Sequence, residues 1–129
     1  MSMKQFVGNI EELSLQNEYF REVLFTDERL QLVVMSLLPM EDIGVETHQL
    51  DQFIRIEQGE GKAVLDGEEF TLSDGFVVVI PAGTEHNIIN TSSSAPLKLY
   101  TLYTPPNHAP GTIHKTKGEA LQAEQEEHG

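Results

Sequence analysis

The chain contains no cysteine, so disulfides, zinc–thiolate sites and thiol nucleophiles are excluded, and a bound metal would be held by His, Asp, Glu or an amide. Basic residues are scarce: 8 Lys and Arg against 21 Asp and Glu give a formal charge of −13. That balance excludes the cationic surface that nucleic acid or an anionic membrane requires, and neither partner is expected. Long apolar runs are missing as well. The longest, Phe76 to Ile80, is far short of the roughly 20 residues of a bilayer-spanning helix. The opening residues, MSMKQFVGNIEE, lack the apolar stretch of a secretory signal, so a soluble, cytoplasmic protein is expected. There is no Gly-rich phosphate loop, no Gly-x-Ser-x-Gly elbow and no His-Glu-x-x-His helix. The basic residues form no phosphate clamp, with only Lys115 and Lys117 standing close together, and no helix-turn-helix segment suggests a regulator.

What is present is a chain of 129 residues, 39% of them hydrophobic, which fits one domain over residues 1–129 with a conventional core. The hydrophobic pattern has period two. Phe20–Phe25 and Leu30–Val34 crowd β-branched and apolar residues into short runs, and Gln52–Glu57 alternates with Ile54 and Ile56 on one face. Lys62–Leu65, Asp66-Gly67 and Glu68–Leu72 read as a hairpin closed by a type I′ turn. Phe76–Ile80 is expected to be a strand buried on both faces, and Asn87–Ile89 and Leu97–Tyr103 supply further strands. Turn signals at near-regular spacing make this an all-β sandwich or barrel. A short turn is expected at Asn9–Ser14. One C-terminal helix is expected, since Thr116-Lys117-Gly118-Glu119 has capping-box spacing ahead of Ala120–Gln125. Its tail should fray, because Glu126 and Glu127 oppose the helix dipole.

The chemistry concentrates in Gly75-Phe76-Val77-Val78-Val79-Ile80-Pro81-Ala82-Gly83-Thr84-Glu85-His86-Asn87-Ile88-Ile89-Asn90. A strand ends at Pro81, turns at Ala82-Gly83 and re-enters a sheet at His86, where His86, Ile88 and Asn90 share one face. The spacing Gly-x5-Pro-x-Gly-x2-His-x3-Asn resembles the second signature motif of the cupin superfamily at every fixed position. The resemblance implies a first motif upstream, which would fall on Glu46-Thr47-His48-Gln49-Leu50-Asp51-Gln52 with Gly59 following. His48 and Gly59 match that motif literally. Glu46 stands where a first histidine is usual, Gln52 where a glutamate is usual, and Met40 where a glycine is usual.

The resemblance spans roughly residues 30–103 and implies a double-stranded β-helix, a jelly-roll-like barrel, followed by a loop and short helix over 104–129. It implies a divalent metal (Mn, Fe, Ni or Zn) on Glu46, His48 and His86, with Gln52 as a weak neutral fourth ligand. Two imidazoles and one carboxylate suit Fe(II) and other divalent first-row ions. Glu46 reads equally as a ligand or as a solvated strand-edge acid, and Gln52 more as a hydrogen-bonding wall residue. Period two sends Asp51 to the opposite face. His108 and His114 match no ligand spacing and are expected to be exposed loop residues, while Tyr100 and Leu102 are candidates for the pocket wall.

Two functions follow. One is an enzyme whose metal acts on a small oxygenated metabolite by isomerase, oxygenase or decarboxylase chemistry. The other is a non-catalytic module holding a carbohydrate or other small-molecule ligand in the barrel. A homodimer is also implied, with Phe20–Phe25 as the edge that pairs.

Overall fold

A computed structural model describes residues 5–128, with side chains up to residue 125. In chain order the elements are α1 (Ile10–Gln16), β1 (Arg21–Thr26), β2 (Gln31–Leu37), β3 (Asp51–Gln58), β4 (Gly61–Leu65), β5 (Glu68–Leu72), β6 (Val77–Ile80), β7 (His86–Asn90), β8 (Leu97–Thr104), β9 (Ile113–His114) and α2 (Lys117–His128). The strands form two antiparallel sheets, one of six strands ordered β6-β3-β8-β2-β1-β9 and one of three ordered β5-β4-β7. This is the all-β fold expected from the alternation and the double-stranded β-helix implied by the cupin resemblance, with a short C-terminal helix.

The two sheets close on a core of side chains from alternate strand positions. Met35, Leu37, Ile54, Ile56, Leu97 and Leu99 are wholly buried, and Ala63 and Ile88 face them from the smaller sheet. Fully burying one such side chain contributes about 1.5–3 kcal/mol, and period-two spacing delivers them all to one face. The predicted hairpin is present. Val64 pairs with Glu69 and Leu65 with Glu68, and Asp66 and Gly67 both take positive φ, 49° and 85°, as a type I′ turn demands.

Both termini of the barrel are capped by local chemistry. Asn9 Oδ1 accepts from Glu12 N at 3.0 Å to start α1, so the short turn expected there is a seven-residue helix. Thr116 Oγ1 accepts from Glu119 N at 3.1 Å, and Glu119 Oε1 reaches back to Lys115 N at 2.9 Å to start α2. The expected fraying concerns Glu126 and Glu127, whose side chains lie outside the described residues, as does that of His128.

Three expectations about faces and edges are corrected. Phe76–Ile80 is not buried on both faces: β6 is an edge strand, so Val78 and Ile80 point inward while Val77 and Val79 are 47% and 62% exposed. On β8 the inward row is Leu97, Leu99, Thr101 and Tyr103. Tyr100 and Leu102 therefore face away from the pocket, and Tyr100 packs beside Phe53 with ring centroids 6.3 Å apart. Phe20–Phe25 is an open edge only in part, because β9 and its flanks cover Phe20 to Val23 on the side away from β2.

Candidate metal centre and its cavity

The site is assembled where the connection between β2 and β3 meets the start of β7. Glu46 and His86 exchange backbone hydrogen bonds in both directions at 2.9 Å, an isolated bridge that sets the two side chains next to one another. Glu46 and His48 thus lie in an irregular segment, not on a strand as their spacing suggested, yet they still converge. His48 O accepts from Gly83 N at 2.8 Å, and Asp51 Oδ1 accepts from Ala82 N at 2.9 Å. The Pro81–Gly83 turn is therefore pinned from the first motif on both sides, and Asp51 sits on the outward face as period two requires. Gly83 has φ 88°, which only glycine adopts without strain.

Two further motif positions are structural. Gly59, at φ 120°, approaches the chain so closely that a Cβ would lie 2.8 Å from Pro96 O. Asn90 is wholly buried, and its Nδ2 donates to the carbonyls of Leu37, Leu38 and Ala95. The position of the departed glycine, Met40, still adopts a glycine-like φ of 65°.

Ligand atoms of Glu46, His48 and His86 all lie within 4.8 Å of one another. His86 Nδ1–H donates to Thr84 O at 2.9 Å, which fixes the tautomer and leaves the Nε2 lone pair for a metal. His48 Nε2 is buried without a hydrogen-bond partner, and stands 3.5 Å from Glu46 Oε2, too far for a good hydrogen bond. Burial pushes the Glu46 carboxyl up. His48, then the charges of Arg21 and His86, outweigh that effect and hold it below its usual range, so the group is a carboxylate. An unpartnered buried nitrogen, an oriented imidazole and an ionised carboxylate fit a divalent cation. Gln52 faces the same interior: its Nε2 donates to Thr101 Oγ1 at 3.0 Å, while its buried Oε1 has no partner.

Beside the triad lies a cavity of about 350 Å3, reached by Glu46 and His48 and walled by Arg21 on β1, Asn107 and His108 in the loop after β8, and His114 on β9. Ala120, Ala123 and Glu124 of α2 complete it. The two loop histidines are thus corrected from exposed residues to cavity walls. Pairing of β9 with β1 brings in His114, and the clamp that brings in His108 is Gln31, wholly buried on β2. Its Oε1 accepts from Asn107 N and His108 N at 3.0 and 2.9 Å, and its Nε2 donates to His108 O at 2.8 Å. Burial, reinforced by the charge of Arg21, pushes the His108 imidazole down to about 3, so it stays neutral. Tyr103, inward on β8, packs edge-on to His48 and His108 with centroids 6.2 and 5.4 Å away. Burial pushes its phenol up to about 12, which keeps it protonated.

Arg21 and Tyr103 went unrecognised at the level of sequence, although a signal existed for each. Arg21 occupies an inward position of the alternating row Arg21, Val23, Phe25, and Tyr103 lies in register with Leu97, Leu99 and Thr101.

A double-stranded β-helix with two histidines and a carboxylate converging near one end defines a class of barrel built around a candidate metal site. The family model described as "Cupin domain" matches residues 33–103, and the chain belongs to that family. It is 47% identical over 128 residues to the uncharacterized protein YrkC of Bacillus subtilis, an alignment covering 94% of this chain and 68% of that one. An uncharacterized protein of Acanthamoeba polyphaga mimivirus is 48% identical over 112 residues, covering 84% and 70% of the two chains. A crystal structure from Bacillus halodurans superimposes with a TM-score of 0.90 at 42% identity, covering 92% of this chain and 95% of that one.

Proposed function

We propose that this cupin holds one divalent first-row cation on Glu46, His48 and His86 and acts on a small oxygenated metabolite in the adjoining cavity. The observation that carries this reading is the convergence of three ligand atoms within 4.8 Å, one of them a buried imidazole nitrogen with no hydrogen-bond partner. Two neutral nitrogens and one carboxylate would leave a bound divalent ion with net positive charge and open positions. When bound, such an ion supplies Lewis acidity toward a ligand oxygen. The chain's own residues do the rest. Thr84 O orients His86, Tyr103 presents a protonated phenol beside His48, and α2 with the Gln31-held loop restricts water. Gln52 serves as a polar wall, its amide oxygen directed into the same interior.

Titration calorimetry with Mn(II), Fe(II), Ni(II) and Zn(II), together with elemental analysis of protein purified without a metal-affinity tag, tests the reading. His48→Ala and His86→Ala should each weaken metal binding by about a hundredfold or more, since each deletes one donor of a small set. Glu46→Gln should weaken it as well, by removing the only charge among the ligands. Gln52→Ala should retain binding within a few-fold of wild type. Equal affinity in wild type and His86→Ala would overturn the site. Wild type that takes up no divalent ion would overturn the metal reading and favour the non-catalytic binding module.

A further inference from the structure

Arg21 is the unusual group of this cavity. Its side chain belongs to a residue only 4% exposed, on a strand whose other inward positions, Val23 and Phe25, are apolar. A buried guanidinium is costly unless an anion balances it. Yet among the described residues no carboxylate oxygen lies within 4.0 Å of Arg21. Its Nε is buried without a hydrogen-bond partner among the described residues, where its side chain donates from Nη1 to Nδ1 of His114 at 3.0 Å. Because a guanidinium does not deprotonate, His114 Nδ1 must be the acceptor, so this contact orients the imidazole and offers the cation no compensating charge. Phe20 supplies only a ring face, 5.2 Å from the guanidinium carbon.

Glu46 lies in the same cavity wall, beyond ion-pair distance but close enough for Arg21 to depress its pKa. That carboxylate is one of the proposed metal ligands. A divalent ion and Arg21 together bring three positive charges, and Glu46 with Glu124 of α2 cancels two, so the loaded cavity holds one uncompensated positive charge. Asn107 and His108 in its remaining wall are neutral.

Resting on the metal reading above, we infer that Arg21 is the anion-recognition residue of this site and that its ligand is a small monocarboxylate with a second oxygen donor, in the manner of a 2-hydroxy or 2-oxo acid. Planar guanidinium donors match a carboxylate in two-point contact. The cavity volume, about 350 Å3, suits a compact metabolite. A single guanidinium flanked by Glu46 and Glu124 favours a monoanion over a phosphate dianion. Lys117, the nearby cation of α2, is already engaged by Asp42.

The test uses the whole chain loaded with Mn(II), and calorimetry with glycolate, its uncharged analogue glycolamide, and inorganic phosphate. Mn(II) binding is measured first on its own. Wild type and Arg21→Gln should bind Mn(II) alike, or the variant slightly more tightly, since a nearby positive charge is lost. Glycolate should bind the loaded wild type more tightly than glycolamide by about tenfold or more, and Arg21→Gln should erase that difference. Arg21→Lys, which keeps charge but loses the planar fork, should retain part of it. Equal glycolate affinity in Mn(II)-loaded wild type and Arg21→Gln would overturn the inference while leaving the metal site standing. Equal binding of glycolate and glycolamide by wild type would do the same without any variant. Phosphate binding more tightly than glycolate would overturn the carboxylate assignment. Wild type that binds no Mn(II) would overturn the metal reading, and this inference with it.

Discussion

His108 shows how a single side chain couples the cavity to stability. Its imidazole, pushed down to about 3 by burial and by the charge of Arg21, stays neutral where an unfolded chain's histidine, near 6.5, takes a proton. The unfolded state therefore binds the extra proton first. The stability that depends on neutral His108 is fully present above about pH 6.5 and is lost as pH falls from there toward 3, at most about 1.4 kcal/mol per pH unit for one proton. Urea-unfolding midpoints followed by circular dichroism should fall across that window in wild type. His108→Leu should flatten part of the slope. An unchanged slope in the variant would show that the proton is taken up elsewhere.

At the scale of elements, the cavity depends on two pieces that belong to neither sheet: the loop after β8 and the helix α2. Gln31 holds the first through three hydrogen bonds to the backbone of Asn107 and His108. Replacing Gln31 by Leu keeps the bulk but strands two amide N–H groups and a carbonyl, and should cost about 2–3 kcal/mol of unfolding free energy. Denaturant titration checks the magnitude. Hydrogen exchange should show the loss concentrated at the amides of Asn107 and His108, and protection there equal to wild type would refute the clamp. Lys117 holds the second element by pairing with Asp42, whose carboxyl that bond lowers below its usual range. Asp42 also accepts from Asn87 Nδ2 at 2.8 Å, so the start of α2, the β2–β3 connection and β7 meet at one carboxylate. Both charged partners are partly exposed, so this link orients α2 more than it stabilises it.

At the scale of the whole molecule, β6 is the edge strand of the larger sheet opposite β9. Its sequence Val77-Val78-Val79-Ile80 carries no charge and no proline, the usual devices that blunt an edge. We propose a second copy of this chain as its partner, related by a two-fold axis, in place of the β1 edge expected at first. The formal charge of −13 on each copy opposes this, so association should strengthen with ionic strength. Light scattering at physiological salt should give twice the 14.4 kDa chain mass, and Val79→Lys should give the monomer. A monomeric wild type at high micromolar concentration would contradict the proposal. No described helix is long and apolar enough to cross a membrane.

What the sequence by itself determined is local in origin. Alternation along each strand, the Asp66-Gly67 turn, the caps at Asn9 and Thr116, and the glycines at 59 and 83 act through backbone sterics and near neighbours. The fixed spacing of the second motif did the same for His86 and Asn90. Tertiary structure decided the rest, because it depends on which distant strands become neighbours. Only the order β6-β3-β8-β2-β1-β9 makes β6 an edge with Val77 and Val79 exposed, and only the register of β8 turns Tyr103 inward and Tyr100 out. Arg21 and His114 are 93 positions apart in sequence, and His108 lies 77 beyond the Gln31 that holds it. The alternating row of β1 marks the face of Arg21 but not what it meets there, and a histidine in a loop has no period at all. They become walls of one cavity only when β1 and β9 pair and the loop is drawn across, since burial and electrostatics there are set by packing across the fold.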